Sequence, residues 1–141
     1  MIPDSGELDK TPRAIYIGDI RKTRGLYSML RLAELAPKWE FDLIGPIASE
    51  DANYVSQWIK NSPASSRVKF HGGLAPNKSW KFAKGAWVGL TLLEPTPAFI
   101  EAVPSKLYEY SFAGLAVISS PLPRCVDLIN QSGGGAIVQS D

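Results

Sequence analysis

Short apolar runs alternate along this chain with segments whose apolar residues recur at helical spacing. Ala14-Ile15-Tyr16-Ile17 closes on Gly18, a β-branched run of the kind that is buried in a sheet. Leu26, Met29, Leu30 and Ala33 then follow a helical period, and Pro37 stops the helix. Residues Trp39 to Ile44 alternate and end at Gly45-Pro46, giving a second strand. Ser49 is read as an N-cap with Glu50 and Asp51 in the first turn, and Val55, Trp58 and Ile59 form the apolar face of a second helix. The pattern repeats with a strand over Val68–His71, a short helix over Asn77–Lys84 and a strand over Trp87–Leu93. The proline-rich loop Glu94–Pro97 leads to a helix that begins near Pro104 and closes at Gly114. A strand over Leu115–Ser120, a helix over residues 123–131 and a last strand over Ala136–Val138 complete the series.

Six short apolar strands alternating with five helices predict an α/β fold with a parallel sheet covered on both faces. Right-handed crossovers make it a doubly wound, Rossmann-like domain, and its ligand belongs beyond the carboxyl ends of the strands, where strand order reverses. Residues 1–12 are polar, carry Pro3, Gly6 and Pro12, and read as a linker or loose lead-in to a domain over residues 13–141.

Composition narrows this picture. The 141 residues fit one domain and are 45% hydrophobic and 21% charged, as an ordinary globular protein is. Fifteen basic against fourteen acidic side chains leave +1, so no general field attracts nucleic acid or an anionic membrane. A bound anion needs a local site. Cys125 is the single cysteine and reads as a half-buried helical thiol, which excludes an internal disulfide and a thiolate metal cluster. No run reaches membrane-spanning length and the first residues lack a signal peptide's apolar core, so a reducing cytoplasm is the default expectation.

Two segments carry candidate chemistry. In the turn Gly18-Asp19-Ile20-Arg21-Lys22-Thr23-Arg24-Gly25, three cations precede a helix start, where free amides and the helix dipole favour an anion. A solvated basic turn is the alternative. In Pro104-Ser105-Lys106-Leu107-Tyr108-Glu109-Tyr110, proline sets the first helical turn, Ser105 can cap it, and Lys106 adds positive charge there. Glu109 follows one turn later on the same face, where a carboxylate can accept from ribose hydroxyls beside a bound phosphate. An incidental Lys106/Glu109 pair on an amphipathic helix is the alternative. His71 is the lone histidine, so metal or histidine chemistry has little to build on. Gly133-Gly134-Gly135 reads as a flexible turn, and Trp39, Trp58, Trp80 and Trp87 read as core.

The stretch PSKLYEYSFAGLAVISS resembles the P-x-K-aromatic-E-Y-x-x-x-G-x-x-V-I signature of the C-terminal domain of group 1 (family 4-like) glycosyltransferases. Those enzymes have the two-domain B-type fold (GT-B). GDIRKTRG is similar to the family's G-x-x-x-x-x-[KR]-G element, and the resemblance extends over nearly all of Ala14–Asp141. It implies a domain that binds a nucleoside-diphosphate sugar, with Gly18 and Asp19 in the nucleotide turn, and Arg24 and Lys106 as diphosphate contacts that also act catalytically. It further implies Ser105 at the helix start, Glu109 on the ribose, and Glu101, eight positions earlier, on the transferred sugar. Asp19 departs from the family's arginine, which leaves Arg21 or Lys22 as replacements, and Glu94 competes with Glu101. The resemblance implies no metal or other cofactor. It also implies that an N-terminal acceptor domain and a final helix lie outside these residues, with any peripheral membrane association belonging to the absent half.

Overall fold

The computed structural model describes residues 7–100 and 105–138. Six parallel strands form one sheet: β1 (Arg13–Ile17), β2 (Glu40–Ile44), β3 (Val68–Phe70), β4 (Val88–Thr91), β5 (Ala116–Ser119) and β6 (Gly135–Ile137), in the order β3-β2-β1-β4-β5-β6. The helices are α1 (Leu26–Leu35), α2 (Ala52–Asn61), α3 (Pro76–Ser79), α4 (Pro97–Ile100), α5 (Ser105–Phe112) and α6 (Pro123–Ser132), with short 3-10 turns between several of them. Order reverses between β1 and β4, which is where a doubly wound sheet opens a crevice for ligand.

Successive residues of each strand point to opposite faces, and this alternation splits the core into two layers. Ala14, Tyr16, Phe41, Leu43, Val88 and Leu90 pack with Leu26, Met29 and Leu30 of α1 and Val55 of α2. Ile15, Ile17, Ile44 and Val117 pack with Trp80, with Leu107 and Tyr110 of α5, and with Cys125 and Ile129 of α6. The four tryptophans divide: Trp80 is buried, whereas Trp39, Trp58 and Trp87 are partly buried against the first layer.

Some local readings differ from the structure. Ser49 does not cap α2; it lies in a 3-10 turn over Ser49–Asp51, and its hydroxyl meets Glu50 at 3.4 Å. The face of α2 is narrower than its apolar residues suggest, since Val55 is buried but Ile59 is 46% exposed. The proline-rich loop contains the extra turn α4. Asp42 lies inside the second layer instead of facing water, because Arg13 Nη1 meets its Oδ2 at 3.1 Å and His71 Nε2 lies 2.7 Å from its Oδ1. Asp9, in the stretch read as lead-in, donates its amide to the Gly85 carbonyl and accepts the indole N–H of Trp87. Two of the three glycines serve geometry: Gly133 ends α6 at φ 68°, and a Cβ at Gly135 would collide with the Val117 carbonyl oxygen. Gly114 follows α5 with φ 84°, the left-handed conformation expected just past a helix end.

Candidate functional site at the strand-order reversal

The turn after β1 is built by its neighbours on both sides. From β2, Pro46 accepts the Ile20 amide, Ile20 accepts the Ala48 amide, and the Asp51 carboxylate accepts the Lys22 amide at 3.0 Å. From β4, the Glu94 amide donates to the Thr23 carbonyl at 2.8 Å. Gly25 closes the turn at φ 94°, where a Cβ would stand 2.4 Å from the Leu92 carbonyl oxygen. Both the backbone conformation and the close approach require glycine there. Arg24 and Gly25 spend their amides on Arg21 and Lys22 carbonyls, and Leu26 donates to Arg21. These amides, with that of Lys22, are therefore engaged within the protein.

The side chains of the turn are unequal. Asp19 and Arg21 pair with each other at 3.5 Å, both well exposed. Arg24 instead sits with its guanidinium 5.4 Å from the centroid of the Phe99 ring. Beneath them the Tyr16 hydroxyl donates to the Asp19 carbonyl at 2.7 Å. Burial pushes that phenol up to about 12, partly offset by the neighbouring Arg24. Tyr16 thus stays a neutral donor under the turn at physiological pH.

The other wall is α5. Lys106 and Glu109 face one another at 3.8 Å, each about one-third exposed, and Lys106 also lies 5.5 Å from the centroid of the Trp80 ring. Tyr110 holds the helix in place: its fully buried ring lies where a Cβ on Gly89 would come within 2.3 Å. Its hydroxyl accepts the Ile17 amide at 3.2 Å. One side chain of α5 is therefore fastened to both strands that flank the reversal.

The residues singled out in the sequence fall on two sides of this crevice. Gly18, Asp19 and Arg24 lie in the turn after β1; Ser105, Lys106 and Glu109 lie on the first turns of the helix that follows β4 and α4. Glu94 lies between, in the loop leaving β4. Glu101 and Pro104 lie outside the described residues. Phe99 and Trp80, the two aromatic rings that carry the site's cations, had no sequence signal separating them from ordinary core or loop aromatics. Among the described residues no group of three or more His, Cys, Asp or Glu side chains is arranged to hold a metal ion. Nor is any described helix long and apolar enough to cross a membrane.

The family model for "Glycosyl transferases group 1" matches residues 1–141. Among solved structures, AviGT4, a glycosyltransferase involved in avilamycin A biosynthesis, superposes with a TM-score of 0.71 at 17% identity, over 96% of this chain and 39% of that one. Anabaena Alr3699/HepE in complex with UDP and glucose gives 0.72 at 18% identity, over 90% of this chain and 34% of that one. The C-terminal domain of the group 1 family protein LpcC from Francisella tularensis gives 0.76 at 18% identity, over 95% of this chain and 70% of that one. The chain thus spans well under half of the first two. No curated protein matches it in sequence.

Proposed function

The chain belongs to the group 1 glycosyl transferases, and from that premise we propose that it is the donor-binding half of an enzyme that moves a sugar from a nucleoside diphosphate to an acceptor. One observation carries the reading most. The Lys106–Glu109 pair, 3.8 Å apart on the helix after β4, stands across the strand-order reversal from the turn that carries Arg24. In this reading Arg24 and Lys106 hold the diphosphate and stabilise its charge as the bond to the anomeric carbon breaks. Glu109 gives up its lysine to the phosphate and accepts from the ribose hydroxyls, while Ser105 lines the helix start. Glu94 or Glu101 meets the transferred sugar. The cations take the role that a metal has in other sugar-transfer sites.

The reaction is hexosyltransferase-like, and a cell-surface glycan, lipid or polysaccharide is the kind of product it serves, in the cytoplasm. A second, acceptor-binding domain completes the cleft, so these residues alone bind nucleotide weakly and do not transfer sugar. Any peripheral membrane attachment belongs to that domain. Calorimetry with UDP, GDP and their sugars tests the reading: saturable binding supports it, and no heat with any of them removes it. Turnover by these residues alone would refute the stated inactivity. Glu109→Ala weakens nucleotide binding by ~1–3 kcal/mol if its carboxylate holds the ribose.

A second reading, a doubly wound binding domain without a donor site, is favoured by two observations. Asp19 occupies Arg21, and the turn's amides of Lys22, Arg24, Gly25 and Leu26 are engaged internally. Nucleotide titration separates the two. Half of a sugar-nucleotide epimerase is a further alternative of the same architecture; it requires acid–base groups that the described residues do not assemble at this crevice.

A further inference from the structure

We infer that Trp80 is a positioning residue for Lys106, holding its ammonium at the crevice before any anion arrives. The inference rests on the reading of Lys106 as a diphosphate contact. Trp80 opens the 3-10 turn Trp80–Ala83 and is 5% exposed, so its ring is fixed by packing. It meets Tyr110 edge to face, with centroids 5.8 Å apart and planes at 63°. Tyr110 in turn is tied to the last amide of β1 and seated on Gly89 of β4. The ring below Lys106 is therefore referenced to the strand ends themselves.

A lysine on a helix surface has four rotatable bonds and normally disperses into water. Here two partners compete for it: the Glu109 carboxylate at 3.8 Å and the Trp80 ring at 5.5 Å. An ammonium over an indole face is attracted by the ring quadrupole, and that attraction needs no counter-charge. Its consequence is a division of roles. The carboxylate is released when a diphosphate arrives, because the two anions compete for one cation and Glu109 turns to the ribose. The ring contact is compatible with both states, so the ammonium enters the bound state with its stem already ordered. Trp80→Leu keeps an apolar, smaller side chain in the same layer and offers no quadrupole.

The test is calorimetry on the whole chain with UDP and, as a probe lacking phosphate, uridine, for Trp80→Leu, Trp80→Phe and Lys106→Met. Trp80→Leu is expected to weaken UDP by roughly three- to tenfold and leave uridine unchanged, with Trp80→Phe between it and the native chain. In a Lys106→Met background the Trp80→Leu change should have no further effect on UDP. Carbon–proton spectra give an independent readout. The ε-methylene protons of Lys106 should be shifted upfield by the indole ring in the native chain and return towards random-coil values in Trp80→Leu.

Equal losses for UDP and uridine would show a merely structural role and overturn the inference, as would an undiminished Trp80→Leu effect in the Lys106→Met background. If Lys106→Met weakens UDP but both Trp80 variants do not, this inference fails and the diphosphate reading stands. If Lys106→Met itself leaves UDP unchanged, the reading fails and takes the inference with it. Should Trp80→Leu not fold, the Trp80→Phe pair of measurements and the methylene shift decide the matter.

Discussion

Tyr16 and Tyr110 are buried phenols on opposite layers of one sheet, each with its oxygen on backbone near the end of β1. Burial raises both above the ordinary tyrosine value, Tyr16 to about 12. The sign of the consequence follows from proton counting. Above pH 10 the unfolded chain loses protons that the folded chain keeps, so stability falls as pH rises through that window and levels only once the folded phenols ionise. Urea titrations from neutral pH to 12 should show a flat region followed by a loss approaching about 1.4 kcal/mol per pH unit for each buried tyrosine. Tyr16→Phe should make the alkaline fall shallower by one such increment. An unchanged fall would mean that Tyr16 does not titrate with unfolding.

At the scale of elements, the end of α1 shows how a long-range contact completes a local structure. A helix leaves its last carbonyls unpaired. Here Arg67, in the 3-10 turn over Pro63–Arg67, donates to the carbonyls of Ala33, Ala36 and Trp39 at 2.8–2.9 Å. Arg67→Ala should therefore cost about 1.5–3 kcal/mol in urea denaturation, and Arg67→Lys should recover only part, since an ammonium cannot reach three carbonyls in a planar fork. A loss within error would assign the capping to water. Nothing in the sequence around Pro37 announces this contact, because its partner is thirty residues away.

The same distinction separates what was legible from what was not. The strands of the parallel sheet could be read from β-branched apolar runs, and its doubly wound character from alternation with helices, whereas the order β3-β2-β1-β4-β5-β6 emerged only in the structure. The candidate residues Arg24, Lys106 and Glu109 could be singled out because each sits at a fixed offset from a glycine or proline that marks an element boundary. Asp42 and Asp51 were not. One is satisfied by Arg13 and His71, the other by the Lys22 amide, and both partnerships exist only after the sheet has formed. The aromatic supports Phe99 and Trp80 were illegible for the same reason: a ring under a cation is defined by geometry, not by spacing.

For the whole molecule, the sheet order makes β1 the hub. It pairs with β2 over five residues and with β4, whereas β6 adds three residues at the far edge and pairs only with β5. Protection against hydrogen exchange should therefore decline outward, with β1, β2 and β4 amides exchanging slowest and β6 fastest. Mass-spectrometric exchange on peptides spanning each strand checks this. Equal rates in β6 and β1 would mean that the sheet opens only as one unit. The Gly18–Gly25 turn leaves this hub strand, so on that expectation the candidate site has the slowest-exchanging part of the fold as its floor.

Gly89 and Tyr110 show what such a close fit means for change over generations. The ring of Tyr110 occupies the space that any side chain at 89 would need. Gly89→Ala should thus cost about 1–3 kcal/mol by overpacking, measurable in the same urea experiment. Tyr110→Leu first, then Gly89→Ala, should cost less at the second step than Gly89→Ala alone. The two positions form a ratchet: a lineage can remodel the wall of this crevice only by altering the helix before the strand. In a set of descendants, residue 89 would record which of them had already done so.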